Sequence, residues 1–213
     1  MPCVGCRLAV GSPMGVTCLM IPTPSLPRIL RKRAQQLPIP SCRLIHYGCS
    51  FEHQGLGHGV SLSVTTFAAL VGDVVEASSD PLVIINGHGG NQVLYSLVQE
   101  LNAHGSRVLL LPTREHWDQV YEAAGWTFRM HDDMHAGAME RSLLLVWEPE
   151  RVSDRILSDL TDPHCPLFSA EGMRRYTTGH SGFPSQATGK AGQRAIQSLI
   201  DAVTGTVFSW VNE

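Results

Sequence analysis

A continuous apolar run, Pro81-Leu82-Val83-Ile84-Ile85, breaks without transition into Asn86-Gly87-His88-Gly89-Gly90-Asn91. An unbroken stretch of branched aliphatic residues suits a strand covered on both faces, the usual condition of strands in a parallel sheet. Such a strand needs helices to cover it, so the run predicts an α/β fold. His88 then falls at the strand's carboxyl end, where open parallel sheets bind ligands. An imidazole between glycines contributes little to packing, which favours a ligand role over a hydrogen-bonded turn histidine.

A second signature, His135-Ala136-Gly137-Ala138-Met139-Glu140-Arg141-Ser142, places His135 just ahead of a predicted helix and Glu140 in its first turns. Neutral imidazole and carboxylate on rigid elements suit a hard or borderline divalent cation. The plainer alternatives are a capping histidine and an ordinary carboxylate near a positive helix end.

The remaining pattern from residue 45 onward is orderly. Residues 60–64 read as a short strand, and Thr65 or Thr66 as the cap of a helix with an apolar stripe of Phe67, Leu70, Val71, Val74 and Val75. Asn91 reads as the cap of the next helix, with Leu94, Leu97, Val98 and Leu101 on one face and Gly105 ending it. A second buried strand is expected over 108–111. Residues 113–134 read as loop or short helix, and Trp117, Tyr121 and Trp126 there would wall a pocket or fill a core. The helix of the second signature should stop at Glu148-Pro149. A Gly/Pro-rich excursion over 160–185 precedes a final amphipathic helix over 192–210. The alternation predicts right-handed parallel crossovers and a three-layer α/β/α sandwich with a mostly parallel central sheet, a single domain across 1–213.

Composition narrows the partners. At 213 residues and 43% hydrophobic, the chain can bury a full core. No apolar stretch approaches the ~18 residues of a membrane span, and no export signal is evident, so cytoplasmic residence is the default. The basic run at 28–33 is short, lacks interleaved aromatics and belongs to a chain of pI about 6.3, which argues against nucleic acid. Cys3-Val4-Gly5-Cys6 has no second pair at zinc-finger spacing and reads as idle reduced thiols.

The two signatures have companions: Tyr47-Gly48-Cys49-Ser50-Phe51-Glu52-His53, then Val60-Ser61-Leu62-Ser63, and later Gly182-Phe183-Pro184-Ser185 with Ala187-Thr188 and Lys190-Ala191-Gly192. In order and spacing, this set resembles the creatininase family of metal-dependent amidohydrolases. The resemblance implies hydrolysis of a C–N amide bond with one or two divalent ions (Zn, Mn or Fe). It implies His88 and Glu140 as metal ligands, His135 as the proton carrier toward the departing amine, and Glu52, His53, Gly89, Gly90 and Asn91 as supporting or substrate contacts. Substrates would be a small cyclic amide, a formamide or a short peptide, and members are often homo-oligomers. In creatininase itself a carboxylate stands where this chain has Gly90, which tilts the reading toward peptidases of the mycofactocin precursor. Two features depart from the pattern. Arg141 replaces the usual threonine and would either pair with Glu140 or face away, while Asp132 and Asp133 read as solvated loop acids or, alternatively, as substitute ligands.

The second departure is the amino-terminal segment. A primary metal motif of the form GSxEQHGPHLPLxTD should follow the first strand, yet Gly11-Ser12 is followed by Pro13-Met14-Gly15-Val16-Thr17-Cys18-Leu19. Residues 1–50 hold six Lys+Arg and no Asp or Glu, a net of +6, leaving ten basic against 19 acidic residues, a net of −9 that sums to the whole-chain −3. Five of the six cysteines also fall there. A shifted reading frame would account for the break: with codons chosen to suit and one borrowed base, back-translating from Met14 to Pro27 gives HGGHLPHDTDTLIA, which matches the missing motif, and both methionine codons, which allow no choice, read as histidine in the second frame. Residues 1–44 are therefore expected to be aberrant or frameshifted. With two confident ligands where catalytic zinc usually keeps three, the alternative is an inactive pseudoenzyme or a binding or assembly subunit.

Overall fold

The computed structural model describes residues 17–21, 41–53, 60–155, 157–161 and 180–213, the first segment and 41–44 by their backbone. The Cys3 and Cys6 pair, the basic run at 28–33 and most of the excursion after residue 160 lie outside these residues. The chain forms two compact units, Met1–Gly48 with Leu62–Leu111, and Cys49–Ser61 with Pro112–Glu213.

The first unit carries the sheet. Strands β1 (Thr17–Ile21), β2 (Ser41–Leu44), β3 (Leu82–Asn86) and β4 (Val108–Leu111) pair in the order β2-β1-β3-β4, every pair parallel. The two strands from the amino-terminal segment were not expected from the sequence. The α/β class with a parallel sheet is as the sequence implied, and Leu82, Val83, Ile84 and Ile85 are all buried. Strand order reverses between β1 and β3, whose carboxyl ends are level, Ile21 opposite Asn86. That reversal is the switch point at which a parallel sheet opens a crevice for ligands.

Helix α1 (Val64–Glu76) buries Phe67, Val71 and Val75 and leaves Leu70 exposed. It begins earlier than expected. Ser63 is the cap, its Oγ accepting from the Thr66 backbone N–H at 3.1 Å, and residues 60–63 form no strand. A cap hydrogen bond within four residues wins over strand pairing there, as serine and threonine commonly do. Helix α2 (Val93–Ala103) buries Leu94 and Val98, and Gly105 follows it with φ +95°. Asn91 is not its side-chain cap. The Asn91 carbonyl accepts from Leu94 N–H, but its amide turns to Asn86.

The second unit is helical. Helix α3 (Arg114–Ala124) occupies the first half of the stretch that reads as loop or short helix. Thr113 and His116 form a capping box, with histidine in the place glutamate or glutamine usually holds, and Gly125 closes the helix at φ +85°. Helix α4 (Ala138–Trp147) ends before Pro149 as expected, and α5 (Gly189–Val211) starts three residues ahead of expectation because Thr188 accepts from Ala191 N–H. Between α3, α4 and α5 lies a core of Val120, Tyr121, Ala124, Trp126, Ala138, Ala191 and Ala195, flanked by Phe128 and Phe183. Tyr121 and Trp126 are thus core residues. Among the described residues no helix is long and apolar enough to cross a membrane.

Candidate functional site

His88 sits two residues past β3 on a backbone built by asparagines. Asn86 Oδ1 accepts from the His88 N–H at 3.2 Å and from Asn91 Nδ2 at 3.0 Å, while Asn86 Nδ2 donates to the His88 carbonyl at 3.1 Å. The Gly90 N–H donates to His88 Nδ1 at 3.2 Å and fixes the ring. Asn91 is fully buried, and a Cβ on Gly48 would lie 2.5 Å from its Oδ1, so the glycine at 48 makes room for the asparagine. Gly89 stands differently: it is exposed and a Cβ there would meet nothing within 4 Å. Its value is open space in front of the loop and not a left-handed turn.

The second unit gathers the other candidates. Glu52 and His53 lie on a single 3-10 turn, Phe51–His53, with His53 Nε2 3.5 Å from Glu52 Oε1. The His53 ring meets the His135 ring edge-on, centroids 4.8 Å apart. His135 is held by an antiparallel bridge to Ser181, N–H to carbonyl in both directions at 2.9 and 2.8 Å. Glu140 stands in the first turn of α4, and its Oε2 accepts from the Ala136 N–H at 2.7 Å. Burial raises the pKa of the Glu140 carboxyl, the neighbouring Asp133 adds to the rise, and the Ala136 N–H and His53 oppose it.

A desolvated carboxylate with imidazoles about it fits a divalent cation by its chemistry. One Glu140 oxygen is engaged by an N–H, and a cation on the other would relieve the cost of holding the charge away from water. Carboxylate and imidazole are the donors that zinc, manganese and iron accept.

Arg141 leaves this group. Its Nη2 donates to the Ser153 carbonyl at 2.8 Å, so the cation that replaces the expected threonine faces away from Glu140. Asp133 corrects the sequence reading more sharply. Far from being a solvated substitute ligand, it is buried, and four donors converge on its two oxygens: Ala138 N–H at 2.8 Å, Phe183 N–H at 2.9 Å, Met139 N–H at 3.0 Å and Tyr121 O–H at 3.2 Å. Burial and the charge of Asp133 together push the Tyr121 hydroxyl far above its ordinary range, so it stays a donor. The sequence carried one cue to this, the two small residues Gly137 and Gly182 that a carboxylate needs beside it.

The profile of the creatininase family, described as creatinine amidohydrolase, matches residues 26–207. The chain belongs to the creatininase family. The match begins after the stretch in which the primary metal motif is missing. Among creatininase-family relatives, the mycofactocin precursor peptide peptidase of Mycobacterium ulcerans (strain Agy99) is 30% identical over 177 residues, 78% of this chain and 64% of that protein. The protein of the same name from Mycolicibacterium smegmatis is 28% identical over 175 residues, 78% of this chain and 65% of that one. The chain therefore spans slightly under two thirds of the length of these two relatives. A mutant creatininase solved in complex with creatine superposes with a TM-score of 0.73 over 93% of this chain and 92% of that chain, at 19% identity. At that identity the likeness speaks for the fold.

Proposed function

We propose that this chain is a metal-dependent amidohydrolase that cleaves a C–N amide bond in a short peptide, as the name of its mycofactocin-related relatives suggests. The observation that carries the reading is the grouping of His53, His135 and the desolvated Glu140 in a creatininase-family chain. Glu140, His53 and Glu52 are the residues we assign to a zinc, manganese or iron ion, with a second ion as the fuller form, and His88 is kept as a proposed ligand on the family resemblance alone. Glu52 and His53, 3.5 Å apart on one turn, offer a carboxylate oxygen and an imidazole nitrogen, donors matched to such an ion. This assignment moves Glu52 and His53 from supporting residues to ligands. When bound, the ion polarises the amide carbonyl and acidifies the attacking water.

The chain's own residues supply the rest. To His135, anchored through its backbone to Ser181, we assign the proton that passes to the departing amine. Its ring rests edge-on against His53, which limits the orientations from which that transfer occurs. Gly89, exposed and with nothing within 4 Å of a would-be Cβ, leaves room beside His88 for a peptide backbone, and we keep Gly90 and Asn91 as supporting contacts.

The test is hydrolysis by the metal-loaded protein, followed as primary amine release from short carboxyl-terminal peptides, creatinine and formamides. The reading expects release from peptides that is abolished by chelation. A metal-loaded protein that releases amine from none of them would leave a binding or assembly subunit as the better account.

A further inference from the structure

We infer that Asp133 is a positioning residue of this site, an anion that clamps the loop of residues 135–140 from beneath; the inference rests on the amidohydrolase reading above. Helix α4 begins at Ala138 with Gly137 as its cap, a residue with no side chain to offer, and Asp133 supplies the missing acceptor from four residues upstream. A carboxylate at the amino end of a helix is favoured by the helix dipole as well as by those two N–H groups. The same Oδ1 that takes Ala138 N–H also takes Phe183 N–H, so one side chain joins the helix carrying Glu140 to the strand segment that pairs with His135.

The intervening backbone is tight. Between Asp133 and Ala138 the chain turns through Ala136 at φ +47°, a left-handed conformation unusual for alanine, and that turn aims the Ala136 N–H at Glu140 Oε2. A Cβ on Gly137 would lie 1.9 Å from Asp133 Oδ1, and one on Gly182 2.3 Å from it. Both neighbours must be glycine for the carboxylate to fit. Its two oxygens have about four acceptor positions, and four donors fill them, which leaves none for a metal ion. An asparagine oxygen in the Oδ1 place would keep the Ala138 and Phe183 N–H groups, but its NH2 would then face the fixed Met139 backbone N–H.

Asp133→Asn and Tyr121→Phe, assayed on the full chain, separate positioning from general support. Three readings are taken: the Zn2+ dissociation constant by competition with a chromophoric chelator, kcat and KM for peptide hydrolysis, and the amide NMR shifts of Ala136 and Ser181 in metal-free protein. Asp133→Asn should weaken Zn2+ binding by about 10- to 100-fold, the usual effect of losing a residue that orients a ligand. It should lower kcat more than it changes KM, and move both amide shifts. Tyr121→Phe keeps the carboxylate and its three N–H partners, so its Zn2+ affinity should stay near that of the wild type. A folded Asp133→Asn protein with wild-type Zn2+ affinity and unmoved amide shifts would overturn the inference. Should Asp133→Asn fail to fold, Gly137→Ala crowds the same oxygen with the charge retained, and wild-type Zn2+ affinity in that variant would overturn it equally. If the wild-type protein binds none of Zn2+, Mn2+ and Fe2+, the amidohydrolase reading fails, and the amide shifts alone decide whether Asp133 holds the loop.

Discussion

Replacing Gly192 by alanine inserts a methyl group where α5 meets α4. A Cβ at this position would lie 2.3 Å from the Ser142 carbonyl oxygen, 2.7 Å from its carbon and 3.0 Å from Val146 Cγ2. The obstacle is backbone, so it cannot rotate away, and the helices must separate by roughly 1 Å to reach ordinary contact. Overpacking of this kind costs about 1–3 kcal/mol, and the backbone obstacle puts Gly192→Ala near the top of that range. Alanine returns about 1 kcal/mol of helix propensity. The net loss is about 2 kcal/mol, or a fall in Tm of about 4–8 °C for a chain of this length. Gly205 is the internal control, lying in the same helix with nothing within 4 Å of its would-be Cβ. Gly205→Ala should gain up to about 1 kcal/mol and raise Tm by about 2–4 °C. Urea and thermal unfolding of both variants check the pair. Equal responses, or a stabilised Gly192→Ala, would refute the close approach of α4 and α5. The consequence reaches the site, because Ser142 Oγ accepts from Thr188 N–H and seats α5 on the helix that carries Glu140.

Stability should also depend on pH through His116, whose Nδ1 accepts from Thr113 N–H and whose Nε2 lies 2.9 Å from Thr206 Oγ1. Burial lowers its pKa below the ordinary 6.5, so below that pH the unfolded chain binds a proton that the folded chain refuses. Stability is complete above about pH 6.5 and falls as pH drops below it; His116→Gln, which keeps a Thr-x-x-Gln box, should flatten that part of the urea-midpoint profile, and an unchanged slope would exclude His116 as its source. Resequencing the gene should reveal compensating single-base changes ahead of residue 45, and one undisturbed frame across that stretch would remove the frameshift explanation.

The legible parts of the sequence were those where one pattern had one physical meaning. Leu82, Val83, Ile84 and Ile85 could be covered on both faces in a strand, and their burial carried the sheet and the place of His88 with it. Local competition was harder to see. Ser63 could cap a helix or end a strand, and a hydroxyl hydrogen bond to Thr66 decided it. Helix α3 was legible only as loop or short helix because His116 stands where a capping box usually has an acid or amide, although Thr113 and Gly125 bracket it correctly. Asn91 and Asp133 looked like a cap and a solvated acid. Each instead spends its side chain on contacts five or more residues away, with Asn86 in one case and with Ala138, Met139 and Phe183 in the other. Contacts of that range leave no periodicity in the sequence.

The central proposal is that Glu140 and His53 hold a divalent ion, and metal analysis of the purified protein addresses it directly. Elemental analysis after dialysis should find close to stoichiometric zinc, manganese or iron in the wild type, and a loss of that metal in His53→Ala and Glu140→Ala proteins that keep their helical circular dichroism. A folded wild-type protein free of metal, or full metal retention in both variants, would contradict the account.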